Sequence, residues 1–216
     1  GIKADQSGDG ALSIRSTGAV EGTNGYGIYA RSMGTGLTIN AADVTGSSSA
    51  IKATNNGPGD LSITSTGTVV GADDYGIFAY NSSDDADLSI IAAIVTGSQD
   101  GIRADQGGDG ALSITSSGAV TGNGGYGIYA ASMGKDLTID AADVTGSSSG
   151  IKADQRGDGA LSITSSFAVE GTNGYGIYAQ STGAGLTIIA ADVTGSSSGI
   201  KADQSGDGAL SIRSTG

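Results

Sequence analysis

Eighteen consecutive residues, GIKADQSGDGALSIRSTG, stand at positions 1–18 of this chain and again, unchanged, at 199–216. Variants of the same string open at Gly101 and Gly150, and weaker echoes fill the intervals. A fixed internal period constrains the fold strongly, because each repeat has to be one structural unit that buries its apolar face on its neighbours. Aligning Gly/Ala-Ile-x-Ala places leading isoleucines at Ile2, Ile28, Ile51, Ile77, Ile102, Ile128, Ile151, Ile177 and Ile200. The steps between them are 26, 23, 26, 25, 26, 23, 26 and 23 residues. A Leu-Ser/Thr-Ile triplet follows each leading isoleucine, from Leu12–Ile14 through to Leu210–Ile212. A valine (Val20, Val44, Val69, Val95, Val120, Val144, Val169, Val193) and then a glycine come after it.

Each unit therefore holds three short alternating apolar pieces separated by Gly, Asp, Asn and Ser. Period-two alternation marks half-buried strands, and the spacers carry turn chemistry. No stretch carries an amphipathic helical stripe, and about 24 residues is too short for a four-stranded propeller blade. The pattern predicts an all-β fold: a right-handed parallel β-helix of about nine coils, three short strands per coil, in which each strand pairs with its copy one coil later. Residues 1–216 form a single solenoid segment. Its coils alternate in kind, Ile-Lys/Arg-Ala against Tyr-Gly-Ile-Tyr/Phe-Ala, so the working unit is a pair of coils of about 49 residues. The return of the opening string at residue 199 implies a super-repeat of 198 residues, and the chain reads as part of a longer array.

Composition removes the competing classes. Forty glycines would suit collagen, but there is one proline (Pro58) and no three-residue period. Disorder is inconsistent with Ile, Leu and Val at fixed positions. The net charge is −12, and with Glu21 and Glu170 the only glutamates, 20 of the 22 acids are aspartate. Such a surface repels nucleic-acid phosphates and anionic lipids, so neither nucleic acid nor direct membrane insertion is expected. The chain has no histidine and no cysteine, which removes the usual triads, thiol nucleophiles and most metal sites. Asp73, Asp74, Asp84, Asp85 and Asp87 are the densest carboxylate group, with nothing basic near them in sequence. No enzyme is expected.

In a stacked solenoid, equivalent outward positions become ladders. The residue after each leading isoleucine reads Lys3, Tyr29, Lys52, Phe78, Arg103, Tyr129, Lys152, Tyr178 and Lys201, cation and ring in strict alternation. This column either stabilises the rod or grips surface glycans, since exposed rings stack on sugars. A hydroxyl column (Ser13, Thr38, Ser62, Ser89, Ser113, Thr138, Ser162, Thr187, Ser211) lies on the next strand. Its neighbour is broken by Arg15, Ile91, Asp140 and Ile189, too irregular for a flat ice-binding face. Asp5, Ser7 and Asp9 before Gly10 have the spacing of a calcium loop, and the acids recur as Asp105 and Asp109, Asp154 and Asp158, Asp203 and Asp207. The middle ligand is lost at Gly107 and Arg156, and Asp and Gly suit a tight turn in any case. Calcium is thus the one candidate cofactor, and Asp5 to Gly10 are expected to form the turn.

Gly-rich Leu-Ser-Ile-x-Ser-x-Gly-x-Val-x-Gly units with Gly-Ile-x-Ala restarts resemble the passenger regions of bacterial autotransporters and related large repetitive surface adhesins. The resemblance spans the chain as a pattern. It implies a secreted, extracellular β-helix at the bacterial cell surface, serving as stalk, adhesin, filament or biofilm component. Its partners would be other copies stacked end to end, or surface glycans. Phe167 departs from the pattern by replacing the turn glycine found at Gly18, Gly67 and Gly118.

Overall fold

The computed structural model describes residues 1–215, and among these every regular element is a β-strand. The strands stack in parallel into a β-solenoid. The leading strands, Ile2–Gln6, Ile28–Ser32, Ile51–Asn55, Ile77–Asn81, Ile102–Gln106, Ile128–Ser132, Ile151–Gln155, Tyr175–Ser181 and Ser198–Gln204, form a nine-stranded sheet in strict coil order. The Leu-x-Ile and Val-x-Gly strands form the other, fifteen-stranded sheet. Pairing follows the repeat without slippage: Ile2 opposes Ile28, Leu12 opposes Leu37, and Val20 opposes Val44. A one-residue slip would turn each inward isoleucine to solvent, so burial itself holds this register.

Two coils depart from three separate strands. In the third coil Leu61–Gly71 is one strand, and in the fourth Leu88–Gly97 is one strand. The residue before the closing valine explains both. Alanine or aspartate stands there in the other coils (Ala19, Asp43, Ala119, Asp143), whereas these two have β-branched Thr68 and Ile94. Such residues favour extended backbone and carry the strand through the corner. A register irregularity falls between Ala92 and Ile94, where the single Ala93 of the fourth coil lies against Thr66 and Gly67 of the third.

The interior is a narrow apolar column of one leading Ile, one Ala, one Leu, a second Ile and one Val per coil. From Ile28 to Ile188 these leucines and isoleucines are at most 1 % exposed. The small residue after the second Ile (Ala41, Ser65, Ala92, Ser116, Ala141) is also inside. The expected inward set is therefore present. It omits one position: the last residue of each leading strand (Ser32, Asn55, Asn81, Gln106, Ser132, Gln155, Ser181) is buried as well. These polar side chains brace the first corner. Gln106 Nε2 donates to Ala86 O at 2.7 Å, and Gln155 Nε2 donates to Gly134 O at 3.0 Å. Asn55 Nδ2 reaches Gly57 O at 3.1 Å, and also Gly59 O.

At the corner after the closing strand, a glycine stands in all eight coils that have one, from Gly22 to Gly195. A Cβ at Gly146 would run into the Ser149 carbonyl of its own turn and come 2.7 Å from the Gly127 amide nitrogen of the previous corner, so there is no room for a side chain. Phe167 meets no such obstacle. Its side chain is 59 % exposed, and its carbonyl accepts a hydrogen bond from Ser165 Oγ at 3.1 Å.

Candidate functional site

Alternation along each leading strand fixes where the ladder goes. With Ile2 and Ala4 inward, Lys3 and Asp5 must point out, and the same holds in every coil. Strand pairing then lines up Lys3, Tyr29, Lys52, Phe78, Arg103, Tyr129, Lys152, Tyr178 and Lys201 as consecutive partners. All nine expected residues therefore stand in one row. The guanidinium of Arg103 lies 4.6 Å from the Tyr129 ring centre, and Lys152 Nζ lies 4.4 Å from that of Tyr178.

A second row of rings accompanies the first. Tyr26, Tyr75, Tyr126 and Tyr175 stand at the corner three residues before Tyr29, Phe78, Tyr129 and Tyr178, with ring centres 5.3 to 5.6 Å apart. Lys52 thus sits between Tyr26 and Phe78, 5.4 Å from each, and Arg103 lies between Tyr129 and Tyr75. The Tyr-Gly-Ile-Tyr string carried this signal in sequence: two rings three residues apart, the first in a turn.

The acidic candidates divide into two sets. Asp5, Asp105, Asp154 and Asp203 are strand residues, not turn residues; in the first coil the turn begins only at Ser7. The alternation that sends the cation outward sends the aspartate two places later to the same face, where the two pair. Lys3–Asp5 is 4.0 Å, Arg103–Asp105 3.3 Å, Lys152–Asp154 3.3 Å and Lys201–Asp203 3.6 Å. Ser7 is exposed beyond the strand end, and Asp9, Asp109, Asp158 and Asp207 occupy exposed turns. Among the described residues, no group of three or more His, Cys, Asp or Glu side chains is arranged to hold a metal ion.

Other aspartates tie coil to coil. Asp43, Asp60, Asp87, Asp136 and Asp143 each accept, through Oδ1, a backbone N–H from the next coil, at 2.8 to 3.2 Å. Asp100 does the same for Tyr126 N–H at 2.7 Å while only 5 % exposed. Burial pushes its carboxyl above the ordinary range, although the Tyr126 amide and Arg103 pull the other way. Burial also raises Asp105, against the pull of Arg103. The carboxylates that cluster in sequence are split by the fold. Asp73 and Asp74 precede the strand Ile77–Asn81, and Asp84, Asp85 and Asp87 follow it at the opposite corner. Asp85 there takes a left-handed backbone, φ 59°.

The hydroxyl row is also continuous, with Ser13 opposing Thr38, Thr38 opposing Ser62, and so on to Ser211. Among the described residues, no helix is long and apolar enough to cross a membrane. No protein-family model matches the chain, and comparison with curated proteins and with solved structures gave no match. The class that sequence and structure define together is a parallel β-solenoid built from alternating coils.

Proposed function

We propose that the chain is a non-enzymatic structural repeat region, a rigid stalk or fibre-forming spacer of a bacterial surface protein, working outside the cell. The observation that carries this reading is the unbroken register of the leading strands. The leading strands stack in strict coil order, and their outward residues engage the coils above and below rather than being left free for a ligand. A repeat whose surface chemistry is directed along its own axis resists bending and adds length at a constant rate, about 4.8 Å per coil. Lack of cysteine suits a chain exported unfolded, and the charge of −12 suits a solvated rod. Partners of this role are further coils of the same kind, since open strand edges pair with like edges.

The test is a concatemer series. One, two and four copies of the 198-residue unit, imaged by atomic force microscopy, should give straight particles that lengthen by about 38 Å per eight coils. Bent particles, or contour lengths that scatter for a fixed copy number, would sink the rod. Surface placement is checked separately by antibody labelling of intact source cells, where staining that requires permeabilisation contradicts it.

The rival reading, in which the whole cation–aromatic row grips glycans, has less support. Each of its rings has a cation against it, and Tyr178 has two, Lys152 at 4.4 Å and Lys201 at 4.6 Å.

A further inference from the structure

The outward surface beside the ladder breaks its own pattern at one place. The column two residues past the ladder reads Asp5, Arg31, Thr54, Tyr80, Asp105, Ala131, Asp154, Gln180 and Asp203, and the next column at the corner reads Ser7, Met33, Asn56, Ser82, Gly107, Met133, Arg156, Thr182 and Ser205. Only Ala131 in the first column and only Gly107 in the second lack a functional side chain, and they are diagonal neighbours. The missing bulk leaves a groove of about 300 Å³ walled by Tyr80, Tyr129, Met133, Asp105 and Arg156. Tyr80 borders the space beside residue 107, its Oη 3.4 Å from where a Cβ would stand. Both tyrosine rings are part-exposed, and Met133 is 58 % exposed.

The charges on the rim are already balanced. They cancel as a group: Arg103 faces Asp105 at 3.3 Å and Asp100 at 3.8 Å, while Lys152 at 3.3 Å and Arg156 at 3.6 Å share Asp154. The groove therefore offers no surplus charge to a charged ligand. It offers the Tyr80 ring, which carries no cation among the described residues, the side of Tyr129 turned away from Arg103, a thioether wall, and a carboxylate and guanidinium whose hydrogen-bonding capacity is not used up by one partner each. Ring faces are electron-rich and attract the polarised C–H bonds on the flat side of a sugar, while hydroxyls at the sugar edge need both donors and acceptors. We infer that this notch between Tyr80 and Arg156 is a binding subsite for a neutral pyranose. A hexose lies with its C–H face on a tyrosine ring and its hydroxyls between the Asp105 carboxylate and the Arg156 guanidinium. The site arises where these two outward columns lose their side chains, so it goes beyond the rod reading and does not depend on it.

The test is a titration of the isotope-labelled chain, followed by amide shifts and saturation-transfer NMR. The probes are methyl α- and β-glucopyranoside, galactopyranoside and mannopyranoside, with acetate and methylamine as charged comparisons. At least one hexoside should give saturable shifts centred on Gly107, Tyr129 and Ala131, with neither charged probe doing so. Ala131→Gln fills the notch with the residue the same column already carries at Gln180, so the fold tolerates it, and it should weaken binding by about tenfold or more. Tyr80→Ser should do the same, and Tyr178→Ser, two coils along the ladder from Tyr129, should leave binding intact. Any of three results overturns the inference: no saturable shifts with any hexoside, wild-type affinity in Ala131→Gln, or shifts spread along the ladder and lost in Tyr178→Ser. The rod test reads contour length, so either idea can fail without the other.

Discussion

The interlocked ladder can be measured at its tightest point. Arg103 and Tyr129 are register partners with the guanidinium 4.6 Å from the ring centre, and the arginine side chain is only 33 % exposed. A cation over a ring contributes roughly 0.5–1 kcal/mol when exposed and about 2 kcal/mol when desolvated, so a coupling near 1 kcal/mol is expected here. Single substitutions cannot isolate it, because Arg103 also faces Tyr75, Asp105 and Asp100. A double-mutant cycle with Arg103→Met and Tyr129→Leu can, since each keeps side-chain bulk and the other partners cancel. Urea unfolding is the suitable assay, being uncharged and leaving the electrostatics unscreened. A control cycle pairs Arg103→Met with Tyr178→Leu, three strands along the same sheet and about 14 Å away, where coupling should vanish. If the Arg103–Tyr129 coupling falls within about 0.3 kcal/mol of that control, the row does not stabilise the rod, and the argument from interlocking fails.

Two shorter predictions address the corners. Gly146→Ala should cost roughly 1–3 kcal/mol in urea unfolding, because its Cβ would lie 2.7 Å from the Gly127 amide nitrogen, whereas Gly25→Ala, with nothing within 4 Å, should be within about 0.5 kcal/mol of wild type. Asp100→Asn keeps the acceptor for Tyr126 N–H and removes a carboxyl whose folded pKa lies above its ordinary 3.8. An acid with a raised folded pKa favours the folded state while protonated and loses that contribution as pH rises from about 3.8 through the folded value. The variant should therefore gain stability over wild type at pH 7 and lose that gain near pH 3; a gain that persists at pH 3 would point to packing rather than charge. The other charged groups facing Asp100 are Arg103, Asp74 and Asp105.

The architecture was readable from sequence because a solenoid repeats its inward positions. Nine leading isoleucines at near-constant spacing fix the register, and register fixes the ladders. The sequence was less legible where a residue's role depends on a neighbour in the next coil. Asp5 looks like the start of a turn because Ser7 to Gly10 follow it, but strand alternation carries one residue further and turns it toward Lys3. Gln106 and Gln155 look like surface residues, yet they are buried, because the carbonyls of the adjacent turn need donors that only a neighbouring coil can supply. Their Oε1 atoms, and Gln204 Oε1, have no protein partner. Tyr80 and Ala131 are unremarkable one at a time, and only the stacking of their coils makes a groove.

Alternation along the ladder also constrains how such an array can change length. A column of cations alone would place like charges about 4.8 Å apart, whereas interposed rings double that distance and give each cation a favourable neighbour. Coil length alternates in step, 26 residues against 23 except for the 25 of the fourth coil, so long and short coils take turns along the row. Removing one coil, residues 128–150, would stack Arg103 directly on Lys152 and bring two 26-residue coils together. Removing two, residues 128–176, would stack Arg103 on Tyr178 and restore both the row and the length alternation. The smaller deletion should therefore be the more damaging. Loss of the Arg103–Tyr129 contact and one like-charge approach together cost on the order of 1–2 kcal/mol, against a change in the larger deletion that reflects length alone. Urea midpoints of both deletions at low salt, repeated at high salt, separate the causes: the single-coil deletion should recover part of its deficit as salt screens Arg103 from Lys152, and the two-coil deletion should not. If the single-coil deletion is as stable as the two-coil one, pairing of unlike coils is not what holds the rod in steps of two.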